Sequence, residues 1–153
     1  MSKILIIGYG NPMRKDDGLG PAACVRLEGL VRDEDVKIMV RHQMGMELTD
    51  DIACADLAIF IDAHVGGSPG TLKEEAISPD TAVPGSFSHH MRPGVLLGCV
   101  QALYSRHPDA VIYSITGQSF DFGEGLSSAV EAALPILINK VLAKIAQFKS
   151  ING

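Results

Sequence analysis

Two adjacent carboxylates, Asp16 and Asp17, lie in the stretch GYGNPMRKDDGLG at residues 8–20, behind two glycines and an asparagine. Carboxylates so placed bind a divalent cation or act as general acid or base; the bland alternative is a solvated turn, with Asp16 serving only as a helix N-cap. A third, Asp62, closes the apolar run LAIFID, where an ionised group is costly without a partner or a metal. Capping of a neighbouring loop is the alternative for that residue. His89 and His90, in SFSHHMR, add imidazole, which with carboxylate suits nickel or zinc; a surface pair or a pH-sensitive pair is the other reading. Asn11 and the amides of the glycine loop are candidates to orient a substrate chain or polarise its carbonyl. A dinucleotide fingerprint does not fit, because the third glycine is missing and Pro12 removes a backbone donor.

These residues need a scaffold that brings them together. Residues 3–8, KILIIG, form a short apolar run ended by glycine, as in a strand buried on both faces. The pattern turns helical over 19–30, strand-like over 36–41, helical over 46–54 and strand-like over 57–62. A more polar strand near a sheet edge is expected at 71–77. Residues 79–90 read as a long loop, with a helix at 93–105, a strand at 110–115, a glycine-rich loop and a helix at 126–147. Strands alternating with helices predict an α/β fold: a single three-layer domain over residues 1–153, with a mostly parallel twisted sheet and helices on both faces. Ligands in such sheets bind at the carboxyl ends of the strands. That rule sends Asn11, Asp16 and Asp17, Asp62 and residues 118–124 to one rim.

Composition narrows the partners. The chain has 153 residues, 46% of them hydrophobic, enough for one continuous core. Thirteen basic against eighteen acidic residues leave a net charge of −5, with no Lys/Arg run to follow a phosphate backbone, so nucleic acid is not expected as a partner. The apolar run at the N-terminus stops at a glycine turn, short of a signal peptide, and nothing approaches the roughly 20 apolar residues of a membrane span. Cys24, Cys54 and Cys99 are an odd number, far apart and in apolar surroundings, which predicts reduced, buried thiols in a cytoplasmic protein.

With these residues in view, the chain resembles the nickel-iron hydrogenase maturation endopeptidases. The similarity lies in a first strand leading to G-x-G-N-x-x-x-x-D-D/E-G-x-G, matched by Gly8, Gly10, Asn11, Asp16, Asp17, Gly18 and Gly20. It continues in GMEL at 45–48, in a strand ending in Asp62 and Ala63, in His90 ahead of a helix, and in the segment 123–127. The resemblance implies an endopeptidase, metal-dependent or aspartic-type, that removes the C-terminal extension of a hydrogenase large-subunit precursor once nickel is in place. It implies Asp17, Asp62 and His90 as metal contacts, with Asp17, Asn11 and Asp62 carrying the chemistry. The nickel would be supplied by the substrate protein, with other divalent cations able to occupy the site. Three ligands are an incomplete set, so affinity would depend on what the partner contributes. The attacking water would be activated by a carboxylate or by the metal. The loop at 79–91, beside His90, is where an exposed groove for the partner is expected.

Two departures stand out. Many members carry D-G-G-T before GMEL, where this chain has Arg41, His42, Gln43 and Met44, and the last loop, GQSFDFGEGLS, lacks a proline common there. His42 thereby becomes an alternative to His90 as ligand. A non-catalytic metal-binding or metallochaperone module on the same ligand rim is the competing function. A peptidyl-tRNA hydrolase also opens with G-x-G-N-P, but the R-H-N-x-G motif of that class is absent and the net charge disfavours RNA.

Overall fold

The structure is a computed structural model and describes residues 2–80 and 91–152. Five strands form one sheet in the order β2-β1-β3-β5-β4, from β1 (Ile4–Tyr9), β2 (Val36–Arg41), β3 (Leu57–His64), β4 (Leu72–Ile77) and β5 (Asp109–Thr116). The first four neighbours run parallel, and β4 joins β5 antiparallel at the edge. This is the expected three-layer α/β domain. β1 and β3 are central and buried on both faces, which explains their unbroken aliphatic sequences. β4 is mostly exposed and carries lysine and glutamate, as an edge strand should.

Helices α1 (Leu19–Leu30) and α4 (Ser128–Asn152) cover one face, and α2 (Thr49–Ala53) with α3 (Pro93–Tyr104) covers the other. Each buries the stripe its periodicity dictates. In α1 the buried residues include Leu19, Ala23 and Leu27, four apart, and in α4 they run Val130, Ala133, Leu134, Leu137, Ile138 and Val141. No helix among the described residues is long and apolar enough to cross a membrane.

Several boundaries differ from those read in the sequence. The segment 46–54 splits into a single 3-10 turn, Met46–Leu48, and the short α2. β3 does not stop at Asp62 but continues to His64, because backbone pairing with β5 runs on to His64 and Thr116 whatever the side chains are. α4 extends to Asn152, past the apolar stripe, because polar contacts hold its last turn. Lys149 pairs with Asp33 and with Asp35, and the Ser2 hydroxyl donates to the Asn152 carbonyl at 3.0 Å. The cysteines are all free, and Cys24 is buried as expected, but Cys54 at the end of α2 is exposed.

Candidate active site

The carboxyl ends of β1, β2 and β3 open onto one cleft of about 390 Å³. Its wall includes Tyr9, Asn11, Arg14, Asp17, His42 and Asp62. The loop after β1 builds most of it. Gly10, at φ +140°, takes a conformation that favours glycine, and a Cβ there would collide with the Asp17 carbonyl. Gly20 lets the start of α1 press against the sheet: a Cβ would stand 2.6 Å from the Tyr9 nitrogen and 2.7 Å from the Ile61 carbonyl oxygen. The two glycines set the distance between Asp17 and the strand ends.

Within the loop, hydrogen bonds fix Asn11 against Asp17. The Asn11 N–H donates to Asp17 Oδ2 at 2.8 Å, and the Met13 N–H donates to Asn11 Oδ1 at 2.9 Å. The Asn11 side-chain oxygen is therefore engaged, and its amide NH2 is the end left for a ligand. The 3-10 turn Lys15–Gly18 separates the paired carboxylates. Asp17 reaches the cleft, while Asp16 is fully buried and points away from it.

Asp16 neither lines the rim nor sits in a solvated turn. Its carboxylate accepts from the Gln118 N–H at 2.7 Å, the Ser119 N–H at 3.2 Å, and Ser127 through N–H at 2.7 Å and Oγ at 2.8 Å. Burial alone would raise its pKa, but these donors outweigh burial and hold it below the usual carboxylate value. The expectation that residues 118–124 face the cleft is corrected for the same reason. That loop is drawn onto the first loop by Asp16 and by the pairing of Arg14 with Gly123, so it buttresses the site from behind.

Asp62 lies two residues before the end of β3, partly buried in the cleft wall. Burial pushes its pKa up to about 7; hydrogen bonds from the Tyr9 hydroxyl and the Ala63 N–H act against this, and the charge of Asp17 acts with it. Tyr9 was not singled out in the sequence. Burial, together with Asp62 and Asp17, raises the pKa of its phenol, which stays protonated and able to donate. The signal that would have found it is register. Gly8 pairs with Ile61, so the next residues along these parallel strands, Tyr9 and Asp62, stand side by side on one face.

His90 lies outside the described residues, as does His89; Met91, the first residue described after them, lines the cleft. The groove expected at 79–91 likewise falls largely outside them. His42, the alternative ligand, shares the cleft wall with Asp17 and Asp62. Among the described residues no group of three His, Cys, Asp or Glu side chains converges closely enough to hold a metal. Chemically, the arrangement offers two carboxylates, a phenol and an amide donor around an open cleft.

Comparison with known proteins yields solved structures only. No family model matches the chain, and no curated protein does. The chain is similar to the hydrogenase maturating endopeptidase HybD from E. coli, with 26% identity and a TM-score of 0.78 over 95% of this chain and 93% of that one. It is also similar to the NiFe hydrogenase maturation protease HycI from Thermococcus kodakarensis, with 25% identity and a TM-score of 0.74 over the same shares. A hydrogenase 2 maturation peptidase from a Thaumarchaeota archaeon shares the fold, with a TM-score of 0.69 at 21% identity. The resemblance read from the motifs thus extends through nearly the whole fold.

Proposed function

We propose that this chain is a nickel-iron hydrogenase maturation endopeptidase, a peptide hydrolase that removes the C-terminal extension of a large-subunit precursor. The observation that carries this reading is the sharing of one cleft by Asp17, Asn11 and Asp62, at the strand ends of a fold similar to those of hydrogenase maturation proteases. In this reading Asp17 and Asp62 lend carboxylate oxygens to nickel that the substrate protein carries, with His90 as the third contact. Nickel is then part of the substrate, and it marks a precursor whose metal centre is complete.

A partial ligand set suits such a sensor. Two carboxylates and an imidazole hold a divalent ion weakly in isolation, so affinity rises only when ligands from the partner complete the coordination. Asn11 contributes its amide NH2 to a substrate carbonyl, in the manner of donors that stabilise a developing oxyanion. Tyr9 supplies a proton donor beside Asp62. In this reading the protein acts in the cytoplasm, after metal insertion into the precursor and before its assembly is complete.

The test is to incubate the protein with a large-subunit precursor, nickel-loaded or nickel-free, and follow the C-terminal tail by intact mass. Tail loss only with nickel is expected. Nickel binding without tail loss on any precursor would favour the metal-binding module instead.

A further inference from the structure

Phe122 is 82% exposed, yet the loop that carries it is rigidly tied to the first loop. The Gly123 N–H donates to the Met13 carbonyl at 2.8 Å, the Lys15 N–H to the Gly123 carbonyl at 3.0 Å, and the Asp16 N–H to the Ser119 carbonyl at 3.1 Å. A large aromatic ring is thus held in water by a fixed frame. Its partner is Arg14, whose guanidinium carbon lies 5.4 Å from the ring centroid. The Arg14 Nε also donates to the Phe120 carbonyl at 3.1 Å. Ring and carbonyl together fix the plane of the guanidinium.

Only one of the five N–H donors of Arg14 is used by these contacts. Among the described residues the other four meet no acceptor, and Arg14 forms no ion pair even though Asp17 and Asp62 line the same cleft. A mobile surface arginine loses side-chain entropy when it binds; this one is already ordered by Phe120 and Phe122, and it lines the cleft. An extended peptide presents a carbonyl oxygen along one edge at every second residue, so a chain lying in the cleft in the matching register brings one to this position.

The geometry points to Arg14 as a substrate-binding residue, held by Phe122 and Phe120, that takes a main-chain carbonyl oxygen of the peptide entering the cleft. This rests on the peptidase reading. It assigns a role to a loop residue and an exposed aromatic outside the Asp17, Asn11 and Asp62 group.

The experiment compares wild type with Arg14→Met, Arg14→Lys, Phe122→Ala and the Arg14→Met/Phe122→Ala double variant on the nickel-loaded precursor, using Arg106→Met as a charge control. Arg106 sits at the opposite end of β3, against Asp56 and Ala55. Arg14→Met is expected to raise KM about tenfold, the scale of a lost charge-assisted hydrogen bond, with kcat within about twofold. Arg14→Lys keeps the charge but loses the stacked fork, and most of the rise should remain. Phe122→Ala should raise KM by itself and add nothing to Arg14→Met. An unchanged KM in Arg14→Met, or an equal rise in Arg106→Met, overturns the assignment. If wild type cleaves no precursor, the peptidase reading fails separately. Arg14 is then judged by binding of the nickel-loaded precursor to immobilised wild type and Arg14→Met: weaker capture by the variant supports it, and equal affinity overturns it.

Discussion

Asp16 and Asp17 are chemically identical neighbours with opposite environments, so exchanging each for asparagine should separate stability from activity. In Asp16→Asn one carboxylate oxygen becomes an NH2. The remaining oxygen is best placed at Oδ2, which serves Gln118, Ser119 and the Ser127 hydroxyl, leaving the NH2 against the Ser127 N–H. One charge-assisted bond is lost outright, a buried donor is left unmet, and three further bonds lose their charge. Charge-assisted bonds contribute about 1.5–3 kcal/mol and an unmet buried donor costs about 1–3 kcal/mol, so a loss of roughly 3–5 kcal/mol is expected. Against a typical total of about 5–15 kcal/mol, that is a large share. Among the described residues Asp17 accepts only the Asn11 N–H, in a partly buried position, and Asp17→Asn should cost about 1 kcal/mol. Urea unfolding followed by circular dichroism measures both. Amide exchange should also rise across residues 118–127 in Asp16→Asn. A loss below about 1 kcal/mol in Asp16→Asn, or equal losses in the two variants, would refute this division of labour.

Other consequences follow from single contacts. Gly20→Ala places a methyl against backbone of β1 and β3, with no flexible side chain to yield, and should cost about 2–3 kcal/mol and lower activity, read by thermal unfolding and the cleavage assay. Asp62→Asn removes a carboxylate disfavoured by burial and by Asp17, and should abolish tail cleavage while stabilising the fold by about 1 kcal/mol in urea unfolding. The hydrogen bond from Lys149, then that from the Asp35 N–H, lowers the Asp33 pKa in the folded state. Its contribution is therefore present above the unfolded carboxylate value and is lost as pH falls through the lower folded one. Asp33→Asn should lower Tm at pH 7, and the difference from wild type should shrink as pH drops below about 4.

Much of the scaffold was legible because it rests on pattern. The unbroken aliphatic runs of β1 and β3, the stripes of α1 and α4 and the polar edge strand β4 each followed from burial and period. The rule that ligands gather at strand ends put Asn11, Asp17 and Asp62 on one rim. What the sequence could not show was the third dimension of a loop. Nothing local tells Asp16 from Asp17; the difference arises from donors more than a hundred residues away, on the loop after β5. The same holds for Arg14, which reads as one basic residue in a turn until Phe120 and Phe122 arrive beside it. Tyr9 looked like the variable position of G-x-G, and only its register against Asp62 gives it a chemical neighbour.

The central claim is that Asp17 and Asp62 act together on a nickel-bearing precursor. The most direct measurement is an intact-mass time course of nickel-loaded precursor with wild type, Asp17→Asn and Asp62→Asn in parallel, each variant shown to be folded. The account predicts that the C-terminal extension is released by wild type and retained with both variants. Release at the wild-type rate by either folded variant would contradict it.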